Sequence, residues 1–580
     1  MDPFRQENEE LRREVAHLRQ VDAERQATVA GLLEKLEIFQ EQIALLKKAL
    51  FAPRRERFIP SADQKLLFEG QTWDTAEESS EIASATELAI AEDEKASEEP
   101  HSDPAPKKRR ARRKRFEFPQ CLPVKRIEYP LPDEARMCPC GCGERAVIRE
   151  QITRQLEYQQ ASAYVAEHVR YLYGCPQNRT GQELITSDKS PSVNEKGILG
   201  SSVVGWLAQA KFERHLPLYR LQEELHSASR MWFSRSVLSG ALLRTSSRLR
   251  PLVDLIHRQV LASFYLRVDE TTARVLRPGT GQTEQVYLWV YVGDEQHPYQ
   301  FFDYRLDRTR AGPAAILQGF QGGLLSDSHS AYTALITRSA DRLFDLGCWA
   351  HARRKFDESC AVTSHPLAEE ALAWIWLLYD IEDRYAEVTA AERGQVRLRE
   401  SVPILERLHE QLVAARPAVR PSSKLAEAIG YVLNRWQGMT RFTTDGRYAI
   451  DNNAAERSLR PAVIGRKNYE FFGSDRGGAA GCSWYTLIQS ARHNHVCALP
   501  YLNDILLQVP QIVPEYLRVG DAATAFDSLS TEQVHALTNL LPDRWLATHP
   551  EHRCEDRQRE LELEKQRRRQ RRRLRRSIKI

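Results

Sequence analysis

The stretch between Phe264 and Leu306 constrains the fold more than any other part of this 580-residue chain. FYLRVDETTARVL, EQVYLWVYVG and YQFFDYRL are consecutive apolar or period-two runs broken by turn residues, so they predict a three-stranded meander. A helix is expected next in RAGPAAILQGF, followed by a short strand in GGLLSDSHSAY that ends on Asp327. RLFDLGCWAHARRKFDE reads as a further strand feeding a helix. Such an order requires an α/β domain, a mixed sheet covered by helices on both faces.

The element order is that of a ribonuclease-H-like domain, in which the first and fourth strands are neighbours. Asp269 lies in the middle of the first strand, between Val268 and Glu270, so it would converge with Asp327. Glu456 follows in DNNAAERSLRP, on an expected short helix entered at Asp451 or Asn452 and ended near Pro461. Asn452, Glu456 and Arg460 fall at i, i+4 and i+8, on one face. Three convergent carboxylates supply oxygen ligands for Mg²⁺ or Mn²⁺, and two such ions clamp the attacking and leaving oxygens of a phosphoryl displacement. The competing reading of Asp269 is a buried strand acid paired with Arg267 or Arg274, since a buried acid needs a partner.

Charge is segregated along the chain, although its net value is only +4. Residues 1–58 carry a heptad seam of Leu11, Val15, Leu18, Asp22, Arg25, Val29, Leu32, Leu36, Phe39, Ile43, Leu46 and Leu50. That pattern fits either a self-associating coiled coil or an amphipathic helix packed on its own domain. Residues 59–115 read as a linker: an acidic stretch with twelve Asp or Glu and one Lys over 69–103, then KKRRARRKR. A second basic block, KQRRRQRRRLRRSIK, stands at 565–579. Such blocks are either solvated tails or sites for a polyanion, and nucleic acid is the leading candidate partner. No run approaches twenty apolar residues and MDPFRQENEE has no signal-peptide core, so a soluble cytoplasmic protein without a membrane partner is expected.

Residues 116–185 hold Cys138, Cys140 and Cys142 in MCPCGCG and Cys175 in YLYGC. Structural zinc needs two thiolate pairs on tight knuckles. The first knuckle is irregularly spaced, and Asn178 stands where the partner of Cys175 would be, with His168 as a substitute ligand. A zinc ribbon and its zinc-free relic both fit. Residues 186–255 read as helices, SSVVGWLAQAKF, PLYRLQEELH and SRSVLSGALLRTSSRLR, the last with Ser234 as N-cap. A polar third helix bearing Arg235 and Arg244 fits a helix-turn-helix module entering a DNA groove.

These segments together resemble the insertion sequence 66 family of DDE-type transposases. LKKALFAPRRERF is similar to the family's N-terminal segment, MCPCGCG with YLYGC to its zinc-binding segment, and RHLPLYRLQEELH to the start of its helix-turn-helix region. VDETTARVL, SDSHSAYTAL, GCWAHARRKF and NNAAERSLRPAVIGRKNYEFFGSDRGGAAG resemble successive blocks of its catalytic domain. The resemblance implies that Asp269, Asp327 and Glu456 are the catalytic metal-binding acids. It implies DNA end cleavage and strand transfer, a homo-oligomer through the N-terminal helix, and small accessory proteins of the same element. Residues 256–500 would form the catalytic domain, with a helical insertion at about 361–450, and 501–580 a helical segment and basic tail. Ser328 and His329 depart from the family's usual glycine and aromatic.

Around the acids, His351, Arg353, Arg354 and Lys355, and Arg457, Arg460, Arg466 and Lys467, read as phosphate contacts. A solvated helix start and charge balance around Glu456 are their alternatives. Glycines after Ile464 are expected to give DNA backbone room. The competing function is a catalytically inactive, transposase-derived DNA-binding protein that bridges or represses element ends.

Overall fold

The computed structural model describes residues 122–514 and 526–554, except 139, 142, 160–161, 175–183, 188–196, 278, 328–329, 340–341 and 364, together with 118, 559 and 562–563. The heptad seam, the acidic linker, both basic blocks, Cys142, Cys175, Asn178, Ser328 and His329 lie outside the described residues.

The described residues divide into two compact units, one of Leu346–Asp451 and the other of those before Leu346 and after Asp451. The larger unit opens with β1 (Val124–Tyr129), a helical turn α1 (Asp133–Arg136), the long strands β2 (Ala146–Gln159) and β3 (Ser162–Gly174), and β4 (Ile185–Thr186). β3 is central, antiparallel to β2 and parallel to β1. Glu157 at the end of β2 accepts from the backbone and hydroxyl of Ser202, capping the next helix from a distance.

Four helices follow: α2 (Ser201–Phe212), α3 (Leu218–Ser229), α4 (Arg235–Arg248) and α5 (Arg250–Leu261). Ser234 caps α4 as expected, its hydroxyl accepting from Val237 N at 3.3 Å. Two differences from the sequence reading stand out. α4 is not a polar helix, because Leu238, Ala241, Leu242, Leu243, Thr245 and Ser246 are buried. The fourth helix, started by Pro251 in its first turn, runs on to Leu261 across the boundary expected at 255.

The meander is β5 (Tyr265–Leu276), β6 (Thr283–Val292) and β7 (Gln300–Arg305), followed by α6 (Ala311–Ile316), β8 (Gly322–Leu325), α7 (Ser330–Thr337) and β9 (Leu343–Leu346). The sheet order is β7-β6-β5-β8-β9, antiparallel through the meander and parallel between β5 and β8. β8 stops two residues before Asp327, so that acid leaves the strand rather than ending it.

The smaller unit is all helical: α8 (Trp349–Val362), α9 (Pro366–Arg384), α10 (Ala390–Val396), α11 (Val402–Ala415), α12 (Lys424–Leu433) and α13 (Trp436–Thr440). It begins earlier than the expected 361, because α8 packs on α9 and α12. Arg397, fully buried, pairs with Glu382 and donates to the carbonyls of Phe442, Asp445 and Tyr448, which pins the return loop.

The larger unit resumes with α14 (Asn453–Tyr469), α15 (Asp475–His493), α16 (Ala498–Ile512), α17 (Thr531–Asn539) and α18 (Pro542–Thr548). α14 does not end near Pro461 but passes through it for two further turns. The missing proline N–H is outweighed by packing, since Ala455, Leu459 and Ala462 are buried where the helix lies on β5 and β6. α15 is buried over most of its length against β7. No described helix is long and apolar enough to cross a membrane.

Candidate active site

The β5–β8 ladder pairs Tyr265 with Gly323, Leu266 with Leu324 and Arg267 with Leu325. Asp269 and Asp327 each stand two residues beyond the last of these pairs, so both leave the ladder on the same level. Glu456 comes from the first turn of α14. Its helix is tied to the same place by Asn452, a fully buried residue whose amide donates to the carbonyl of Val268 at 2.9 Å.

Burial, reinforced by the charges of Glu270, Asp327 and, least, Glu456, pushes the Asp269 carboxyl up to about 8. The Glu270 amide opposes this by donating to Asp269 Oδ1 at 2.9 Å. Asp269 enters no ion pair among the described residues, and the two arginines offered as its partners are turned elsewhere. Arg267 donates to Gly293 O and lies over the Tyr265 ring, while Arg274 donates to Thr283. Four acids therefore act on one another here, Glu270 paired with Arg308, and carboxylates are the oxygen donors that a hard divalent cation takes. Among the described residues no three such side chains stand already gathered around one ion position.

Three partners of this site were not legible as such. The Glu270 side chain is 2% exposed; Arg308 Nε donates to it at 2.7 Å, with Nη2 on the same oxygen, and Tyr332 hydroxyl donates at 2.8 Å to the other. Arg308 Nη2 also lies 3.9 Å from Asp327 Oδ2. Glu270 carried a signal, an acid next to Asp269 on a mostly apolar strand. Arg308 and Tyr332 carried none, because their contacts span 38 and 62 residues of sequence.

The basic candidates separate by environment. Arg457, Arg460 and Lys467 are exposed. Arg460 and Lys467, four and eleven residues after Glu456, share its side of α14. Arg466 does not join them: it folds back on β5, bonded to Thr271 and Thr272. Within the smaller unit Arg353 and Arg354 are exposed at the start of α8, and His351 Nδ1 sits 3.2 Å from Cys348 Sγ. Lys355 is committed to Glu427 at 2.5 Å, and that carboxyl is held down at about 2 by Lys355 and Lys424. On α4, Arg235 and Arg244 lie nine residues apart, half a turn round, so they do not share one face.

Gly465 and Gly478 serve packing, whereas a Cβ at Gly473 would meet nothing within 4 Å. A Cβ on Gly478 would meet the Tyr304 ring at 2.2 Å, and one on Gly465 would meet the Tyr469 hydroxyl at 2.7 Å.

At the cysteine knuckle, Cys138 and Cys140 place their sulfurs 3.2 Å apart. Cys138 N donates to Gly143 O at 3.0 Å, closing the turn just before β2. The β2–β3 register sets Gly174, the end of β3, opposite Ala146, the start of β2. His168 lies six positions down β3, about 20 Å along the strand, where its Nδ1 meets the Tyr129 hydroxyl at 2.9 Å. It is therefore badly placed as a substitute ligand.

Comparison with known proteins gives three family matches. Residues 196–480 match the model described as Transposase IS66 family, residues 135–177 the zinc-finger binding domain of transposase IS66, and residues 38–127 the Transposase C of IS166 homeodomain. The uncharacterized protein y4qI of Sinorhizobium fredii is 30% identical over 516 residues, covering 86% of this chain and 89% of that protein. Protein y4hP of the same organism is 29% identical over 415 residues, 66% of this chain and 74% of its own length. Protein y4jD is 27% identical over 440 residues, 74% of this chain and 82% of that protein.

Proposed function

The chain belongs to the IS66 family of transposases, and from that membership we propose a metal-dependent enzyme that cleaves the ends of its element and transfers them to target DNA. The supporting observation is the common level of Asp269 and Asp327, each two residues past the last pair of the adjacent strands β5 and β8, with Glu456 brought towards them by the Asn452–Val268 bond. Asp269, Asp327 and Glu456 would hold Mg²⁺ or Mn²⁺, which supplies Lewis-acid activation of water or a 3′-hydroxyl and stabilises the leaving oxygen.

The chain's own residues have separate tasks in this reading. The sheet, taken as ribonuclease-H-like, carries Asp269 on β5 and delivers Asp327 two residues past β8, and α14 adds the third carboxylate from a different layer. Burial first, and the neighbouring acids second, raise the affinity of Asp269 for a proton, and a bound cation would favour its charged form against both. Arg457, Arg460 and Lys467, with Arg353 and Arg354 of the helical unit, contact DNA phosphates. Arg235 and Arg244 act from α4, at most one of them into a given groove. Cys138, Cys140, Cys142 and Cys175 hold a structural zinc. Residues 1–58 pair two or more chains so that both ends are held, and small proteins of the same element assist.

An inactive end-binding protein is the competing reading. Purified protein incubated with Mg²⁺ and DNA from the borders of its reading frame decides between them. Nicks that expose 3′-hydroxyls at inverted repeats support the enzyme. Binding of those borders without nicking, in Mg²⁺ and in Mn²⁺, would leave only the DNA-binding protein.

A further inference from the structure

Arg308 occupies a position that the acid trio leaves unexplained. Its Nε and Nη2 are committed to Glu270, whose carboxylate is buried and is held from the other side by Tyr332. Tyr332 is fully buried and meets the Trp289 ring edge-on at 5.5 Å, so the base of the assembly is rigid. The side chain is nevertheless 37% exposed, its Nη2 is 3.9 Å from Asp327, and its Nη1 makes no bond among the described residues. A planar cation is thus braced on one edge and open on the other, beside one of the acids assigned to the metal.

We propose that Arg308 contacts the scissile phosphate and stabilises the charge that builds on its non-bridging oxygens, with Glu270 and Tyr332 as positioning residues. The proposal rests on the transposase reading above and deepens it. Arginine suits the task because its fork can bind a carboxylate through one edge and a phosphate oxygen through the other. A cation fixed before the reaction stabilises transition-state charge without reorganising. Lysine could replace the charge but not both edges. A simpler role, neutralising buried Glu270, would explain the ion pair but not the exposed edge.

The two roles separate in a single-turnover cleavage assay on saturating element-end DNA in Mg²⁺. Arg308→Ala is expected to lose about 100-fold or more in rate, as removal of one preorganised donor typically does, with end affinity within about threefold. Added guanidinium should restore part of that rate. The double variant Arg308→Ala/Glu270→Ala removes the buried charge along with its partner, so its fold is protected and its rate should stay low. Recovery of the double variant to the wild-type rate would reduce Arg308 to charge compensation and overturn the proposal. So would wild-type cleavage by Arg308→Ala. Asp269→Asn in the same assay keeps the layers apart: its activity would sink the transposase reading, whereas a dead Asp269→Asn beside an active Arg308→Ala sinks only this inference.

Discussion

The amide of Asn452 donates to the carbonyl of Val268 at 2.9 Å, across 184 residues of sequence. That bond fixes the first turn of the Glu456 helix against the residue preceding Asp269. Asp451, the preceding residue, accepts from the Tyr379 hydroxyl at 2.9 Å within the helical unit.

Replacing Asn452 by Asp keeps the shape and turns the donor into an acceptor facing a carbonyl. Leaving a buried group unsatisfied costs about 1–3 kcal/mol, so the melting temperature should fall by several degrees. End cleavage should fall more than tenfold while end binding persists. Unchanged cleavage would separate Glu456 placement from this bond.

His257 sets an acid limit on the larger unit. Burial against the Phe301 ring holds its imidazole down to about 4, against the partial pull of the Ile316 carbonyl and with smaller pushes from Arg250 and Arg258. The unfolded chain protonates this group near 6.5. Between those values the unfolded state binds more protons, so stability is whole above about pH 6.5 and declines towards pH 4, by at most about 3 kcal/mol. His257→Gln should flatten the fall in melting temperature between pH 7 and 4.5. An identical fall in both proteins would remove His257 from the acid response.

Arg466 and its neighbours should behave oppositely. Arg460→Ala and Lys467→Ala should each reduce the salt slope of end binding by about one and leave melting unchanged. Arg466→Ala, which releases Thr271 and Thr272, should lower the melting temperature with little change in salt slope. A reversed pattern would contradict the division of roles.

These cases show which parts of the molecule sequence could carry. Strands β5 to β7 and the Ser234 cap depend on period-two patterning and on residues within three positions, so they were legible. The course of α14 through Pro461 was not, because burial of Ala455, Leu459 and Ala462 on the sheet overrides a local signal. Gly465 and Gly478 read as openness although they permit close packing, a property of the Tyr469 and Tyr304 side chains that face them. The three acids were proposed from their local settings, but Arg308 and Tyr332 join Glu270 only through long-range folding.

The cysteine knuckle predicts zinc equimolar with protein after purification without chelator. Cys138→Ser should lose most of it and lower the melting temperature of the β1–β4 region. Full zinc retention in that variant would place the ion elsewhere.

The central claim is that three carboxylates form one metal-dependent site. Strand transfer of element ends by Asp269→Asn, Asp327→Asn and Glu456→Gln, measured beside end binding and across Mg²⁺ concentration, tests it most directly. Each variant should lose transfer by three orders of magnitude or more, roughly the loss expected when a metal site is broken, and retain end binding. Transfer undiminished in any one of them would remove that residue and with it the three-carboxylate site.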